Sequence, residues 1–159
     1  MPSITIAGRE VLIDEADAHI LDGAGWTIRM SGRTSYVQRK IYRDGRYAGV
    51  EHLHRLIVGC GEDFSVDHIN GSGLDNRREN LRRCTQAENT RNRRRHSSNR
   101  SGYKGVYLSP RNTGEACWRA QIRVDGKKIS LGRHDTAEAA YAAYCAASKR
   151  FHGEFSRIA

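Results

Sequence analysis

Ser65-Val66-Asp67-His68-Ile69, the loop Asn70-Gly71-Ser72-Gly73-Leu74-Asp75-Asn76, and Leu81-Arg82-Arg83-Cys84-Thr85-Gln86-Ala87-Glu88-Asn89 decide the fold of this chain. The first piece is strand-like, and the glycine- and asparagine-rich piece is a loop. Leu81–Cys84 is short enough for a returning strand. Thr85 and Glu88 then stand three apart as a capping box, so a helix is expected to start there, with Asn89, Asn92 and Arg93 on one face. The order is strand, long loop, strand, helix.

The polar residues on that frame suit metal-assisted phosphodiester hydrolysis. A hard cation, Mg²⁺ with Mn²⁺ as the alternative, takes oxygen ligands and keeps positions open for water and phosphate. Asp67 offers a carboxylate and Asn89 an amide oxygen. His68 titrates near neutrality and can take a proton from water, and an Asn80 amide can orient its ring. Asn76 reads as a turn residue, and His54 as a hydrogen-bonded packing residue. One difficulty is geometric: neighbours on a regular strand face opposite ways, so the strand must end or twist for Asp67 and His68 to share a site.

Charge points to the partner. The chain of 159 residues carries a formal charge of +9, and Arg77 to Arg100 holds nine arginines against two acids. That run contains no lysine, which favours fork-like phosphate contacts from Arg77, Arg78, Arg91, Arg93, Arg94 and Arg95. Double-stranded DNA is the expected partner. No apolar run approaches the roughly 20 residues a membrane helix needs, so no membrane association is expected. No small-molecule cofactor is expected either. The opening MPSITIAGRE has neither a charged leader nor an apolar stretch, so an intracellular, cytoplasmic setting in a bacterial host is expected. Cys60, Cys84, Cys117 and Cys145 are widely spaced and read as four reduced thiols.

The rest of the chain reads as α+β. Residues 3–13 suggest two strands about Gly8. Asp14 is placed to cap a short helix whose apolar side is Ala16, His19, Ile20 and Leu21, and Trp26–Met30, Tyr36–Tyr42 and Tyr47–Val50 suggest strands with a turn at Asp44-Gly45. His54–Val58 suits a helical turn closed by Gly59. After a linker, Tyr103–Leu108, Trp118–Val124 and Lys128–Gly132 suggest three strands, and Asp135 to Glu138 opens a helix that buries Ala140, Ala143, Tyr144, Ala147 and Phe151. Trp118, Ala120, Ile122 and Val124 alternate with Arg119, Gln121 and Arg123. One sheet face is therefore apolar, and the other offers Arg119, Gln121, Arg123, Lys128 and Ser130 to a major groove.

Asp67-His68-Ile69-Asn70-Gly71, Leu74 through Leu81 and Glu88-Asn89 closely resemble the HNH endonuclease motif, in the branch of phage and intron-borne homing endonucleases whose third position is Asn. The resemblance implies a ββα-metal core with His68 as general base, Asn80 as its orienting partner, and one divalent metal on Asp67 and Asn89. His54-Arg55-Leu56 resembles the segment leading into that motif. Ser101 to Val106, Trp118 to Ile122, Leu131-Gly132 and Phe151 to Phe155 resemble the ethylene-response-factor DNA-binding domain of plant transcription factors. That resemblance puts DNA contacts on Lys104, Tyr107, Gln121, Arg123, Lys128 and Ser130, although Tyr107 and Ser130 depart from the plant Arg and Trp.

The expected organisation is an N-terminal α+β leader at 1–50, the nuclease at 51–95, a linker at 96–102, and a three-stranded antiparallel sheet on one helix at 103–159. The expected function is a metal-dependent DNA endonuclease of homing type that nicks one strand, as a monomer or a transient dimer on DNA. The alternatives are a sequence-specific DNA-binding regulator without catalysis, and an RNA-binding protein, for which stacking aromatics are sparse.

Overall fold

The computed structural model describes residues 3–23, 25–32, 34–61, 63–92, 95, 98–110, 116–156 and 158. They form a mixed α and β structure of two compact units, Met1–Asn89 and Thr90–Ala159. Among the described residues, no helix is long and apolar enough to cross a membrane. The four cysteines are free thiols, with Cys84 and Cys117 buried.

In the first unit, β1 (Ser3–Ile6) and β2 (Arg9–Leu12) form an antiparallel hairpin. A 3₁₀ helix, Glu15–Leu21, follows. Asp14 does not cap it through its side chain, as the sequence suggests. Its carboxylate instead accepts from the Arg78 backbone N–H at 2.8 Å. Next come β3 (Thr27–Ser31), β4 (Thr34–Arg43) and β5 (Arg46–His52), an antiparallel sheet in the order β3-β4-β5. The β4–β5 turn puts Asp44 and Gly45 at φ 49° and 74°, the left-handed pair that a two-residue hairpin turn needs. Then follow α1 (Leu53–Val58), β6 (Ser65–His68), β7 (Leu81–Cys84) and α2 (Gln86–Arg91). The capping box forms in both directions: Glu88 N–H donates to Thr85 Oγ1 at 3.3 Å, and Thr85 N–H donates to Glu88 Oε2 at 2.8 Å.

A single cluster of Val11, Ile13, Val37, Leu53, Ile57, Val66 and Leu81 forms the core of this unit. It draws on β2, β4, α1, β6 and β7, so it runs across residue 50, where the sequence suggests a boundary. The loop after β6 is also stitched to the N-terminal hairpin. Leu12 N–H donates to Leu74 O at 2.9 Å, and Asn76 N–H donates to Leu12 O at 2.7 Å. Residues 1–50 thus supply an edge on which the loop is built.

In the second unit, β8 (Val106–Pro110), β9 (Ala116–Val124) and β10 (Lys127–His134) form an antiparallel sheet in the order β10-β9-β8, and α3 (Ala137–His152) packs on it. The first strand begins at Val106, three residues later than expected. Ser101 Oγ donates to Val106 O at 2.7 Å, and Asn99 Nδ2 donates to Tyr103 O at 2.8 Å, which folds 99–105 into a turn. Those hydrogen bonds also build Asn99 and Ser101, expected in a linker, into this unit.

Thr136 caps α3 by accepting from Ala139 N–H at 3.1 Å, one residue beyond the Asp135 cap that the sequence suggests. Ala140, Tyr144 and Ala147 are buried as expected, whereas Phe151 is 38% exposed and His152 takes the inward position.

Candidate active site

His68 is the last residue of β6, and Gly71 at φ 72° turns the chain immediately afterwards. The strand therefore ends where the chemistry requires, and Asp67 and His68 make different contacts, with the Asp67 charge still acting on the His68 ring. Asp67 lies across from Arg82 in the β6–β7 register, and its Oδ2 accepts from Arg82 Nε at 2.9 Å and Nη2 at 2.7 Å. The two side chains are 5% and 12% exposed, so this is a buried ion pair.

His68 faces a ring of aromatic groups instead. The His54 ring lies 5.0 Å from it and the Tyr36 ring 5.8 Å, centroid to centroid. His52 lies 5.3 Å from His54. These groups come from β4, β5 and α1, so the wall of the site is built by the N-terminal sheet and the segment after it. Gly73 lets the loop close on this wall, because a Cβ there would meet Tyr36 ring carbons at 2.7 and 2.9 Å.

The electrostatics follow from burial. His68 is held below the usual imidazole range mainly by desolvation, against which side-chain hydrogen bonding with Asn76 and the charges of Asp67 and Asp75 pull upward. His54 is pushed down to about 3 by desolvation, with His68, His52 and Arg55 adding to it. His52 is lowered by the same burial and by Arg55. His52 Nδ1 and His54 Nδ1 are buried without a hydrogen-bond partner among the described residues. The result is a desolvated, neutral imidazole at His68, the form that can accept a proton.

The asparagines divide the work differently from the expectation. Asn80 is 6% exposed, and both ends of its amide engage backbone: Nδ2 donates to Asp75 O at 2.8 Å, and Oδ1 accepts from Asn70 N–H at 3.0 Å. It clamps the loop that follows His68. The asparagine whose side chain favours charged His68 is Asn76, which is fully buried and whose Oδ1 has no hydrogen-bond partner among the described residues. Asn76 reads as a turn residue in the sequence because its burial depends on the hairpin stitched to the loop. Asn89 stands in α2, partly buried, with its N–H donating to Thr85 O at 3.0 Å. Among the described residues, no group of three or more His, Cys, Asp or Glu assembles into a metal cluster.

Arg77 and Arg78, expected on phosphates, are committed to carboxylates. Arg77 donates from Nε to Asp75 Oδ1 and from Nη2 to Asp75 Oδ2, both at 2.8 Å, and it pairs with Glu79 at 2.6 Å. Arg77 in turn depresses the Asp75 carboxyl below its usual range. Arg78 makes a two-pronged bond to the buried Asp17, from Nε and Nη2, both at 2.7 Å. These arginines fasten the loop and the N-terminal 3₁₀ helix. Arg83 likewise donates to Val58 O and Gly59 O at 3.0 and 2.8 Å. Sequence reasoning missed Arg82 and Asp17. Opposite charges at matched positions of the β6–β7 pair were the available signal for Arg82, but Asp17 lies 61 residues from Arg78 and carried none.

In the second unit the strand registers place Tyr107, Arg119, Gln121, Arg123, Lys128 and Ser130 on one face: Tyr107 pairs with Arg119, Gln121 with Ser130, and Arg123 with Lys128. Arg133 also pairs with Arg119 and joins them, beyond a register shift that the sequence did not reveal. Lys104 is elsewhere, with its ammonium donating to Arg91 O at 2.6 Å. Arg91 itself pairs with Asp125 at 3.2 Å. Arg95 is exposed, and Arg93 and Arg94 lie outside the described residues.

An HNH endonuclease family profile matches residues 51–91, the segment from the end of β5 through α2. Protein 3.8 of Escherichia phage T7 is 31% identical over 123 residues, which cover 76% of this chain and 98% of the phage protein. No solved structure gives a significant match. With almost the whole length of that relative aligned, the chain belongs to the family of phage T7 protein 3.8, and it carries an HNH endonuclease domain at residues 51–91.

Proposed function

We propose that the chain is a metal-dependent DNA endonuclease of the homing type that hydrolyses phosphodiesters one strand at a time. The observation that carries this reading is the HNH match over 51–91, which coincides with a buried histidine at the end of β6, its ring enclosed and held below the ordinary imidazole range. The unprotonated ring of His68 accepts the proton of the attacking water. Asn76 acts on the ring, while Asn80 fixes the loop that positions it.

Asp67 and Asn89 would hold a divalent cation. One carboxylate and one amide suit Mg²⁺ or Mn²⁺, which complete their shells with water and phosphate oxygens. When bound, such an ion stabilises charge developing on the phosphate and the leaving oxygen. Arg82 engages this carboxylate through Oδ2. The second unit serves as the target-binding module, of the ethylene-response-factor type, through Tyr107, Arg119, Gln121, Arg123, Lys128 and Ser130. A sheet face of alternating polar and basic groups supports that role.

The test is supercoiled plasmid incubated with the protein and Mg²⁺, Mn²⁺ or EDTA, beside His68→Ala and Asn89→Ala. Metal-dependent open-circle product, lost in both variants, is expected. Linear product would mean paired active sites. Duplex binding without cleavage would turn the reading to a DNA-binding regulator.

A further inference from the structure

β3 pairs with β4 only as far as Gln38, whereas β4 and β5 stay paired out to Arg43 and Arg46. Beyond Gln38 the sheet is therefore a two-stranded ribbon. It is solvated on both sides, with Lys40 and residues 42–48 exposed. Tyr42 and Tyr47 are 58% and 61% exposed, and their rings meet edge to face at 6.2 Å near the tip. Lys40, Arg43 and Arg46 adjoin them along the two strands, Lys40 on their face and the arginine pair on the other, against the single acid Asp44 of the turn.

The same ribbon is rooted at the candidate active site. Tyr36 and His52, which lie together beside His54 and His68, share their face with Gln38, Lys40 and Tyr42 by strand alternation, and the register adds Tyr47. From Tyr36 to Tyr42 the strand advances roughly 20 Å, at about 3.3 Å per residue. That matches about six base-pair steps of 3.4 Å. A two-stranded β-ribbon fits the major groove, and exposed aromatic side chains flanked by cations suit a polyanionic partner better than an apolar one.

We propose that the β4–β5 ribbon is a second DNA-binding element, entering the major groove of the substrate duplex about half a helical turn from the bond cleaved beside His68. This proposal rests on the nuclease reading for the identity of the substrate. It assigns to the N-terminal segment a task that neither the HNH match nor the sheet of the second unit covers.

The test uses the full chain and a fluorescein-labelled 40-base-pair duplex in EDTA, with anisotropy read against salt. The triple variant Lys40→Ala/Arg43→Ala/Arg46→Ala is compared with wild type, and circular dichroism confirms that it is folded. If three phosphate contacts are lost, the slope of log affinity against log salt falls by about 2–3, at about 0.9 per contact, and binding at 0.15 M salt weakens more than tenfold. Tyr42→Ala/Tyr47→Ala, which keeps every charge, is expected to weaken binding with the slope unchanged. Unchanged affinity and slope in the triple variant would overturn the proposal, as would preference of wild type for single-stranded RNA over duplex. Plasmid nicking by wild type in Mg²⁺ is read separately, so the ribbon can fail while the nuclease stands.

Discussion

Mild acid is expected to destabilise the first unit through His54, and the size of the effect follows from burial. The folded-state value of about 3 lies below the ordinary 6.5, so as pH falls the unfolded chain takes up this proton first. The stability is intact above about pH 6.5 and is lost progressively toward pH 3. Each unit of pH inside that window costs about 1.4 kcal/mol, so going from pH 7 to pH 5 removes about 2 kcal/mol through His54 alone. Against a typical total of about 5–15 kcal/mol this is a large fraction.

The assay is urea unfolding followed by Trp26 fluorescence in a Trp118→Phe background, since Trp26 is then the sole tryptophan. A 2 kcal/mol loss moves the urea midpoint down by about 1–2 M. His54→Gln shifts stability at every pH, but its loss between pH 7 and pH 5 is expected to be smaller than wild type's by about 2 kcal/mol, because His52 and His68 remain in both chains. Equal losses in the two proteins would refute the reasoning: the imidazole would then be protonating as freely in the folded chain as in water.

Arg82→Met leaves the Asp67 carboxylate buried without its cation and is expected to cost about 3–5 kcal/mol at pH 7; a double-mutant cycle with Asp67→Asn measures how much of that belongs to the pair. Asn80→Ala strands the Asn70 N–H and the Asp75 carbonyl, at about 1–3 kcal/mol each, whereas Asn76→Ala removes the interaction that favours charged His68. The second change is expected to lower the His68 titration, read by NMR of its ring protons, and with it the acid limb of nicking. At Gly105, φ is 75° and a Cβ would meet the Tyr144 ring and lie 2.8 Å from Gln121 O. Gly105→Ala is therefore expected to destabilise the second unit by about 3 kcal/mol, seen in Trp118 fluorescence.

What could be read from the chain is what is local in it. Asp44-Gly45, Thr85 with Glu88, and the alternation from Trp118 to Val124 each carry their structure within ten residues, and each folds as its pattern implies. The spacing from Asp67 to Asn89 pointed to the HNH segment on similar grounds. Illegible were the decisions made by distant partners. Asn76 and Asn80 are the same residue type in one loop, yet Asn80 clamps the loop's own backbone while Asn76 is tied through its N–H to Leu12 of the distant hairpin. Tyr36 and His52 belong to a stretch with no motif of its own, yet they complete the wall around that ring.

The arginine run makes the same point in charge. Nine arginines against two acids holds only within the window from 77 to 100. Asp75, Asp17, Asp67 and Asp125 all stand outside it, and they engage Arg77, Arg78, Arg82 and Arg91. Four of the nine are thereby held in ion pairs that shape the protein, three of them with carboxylates 4–5% exposed at Asp75, Asp17 and Asp67. A guanidinium so engaged still adds to the long-range field that draws DNA in, but it has little freedom to grip a phosphate. On the proposed reading the gripping falls to cations that lie exposed among the described residues, such as Arg95, Arg123 and Lys128 of the second unit, and those of the β4–β5 ribbon, which lies outside the run altogether.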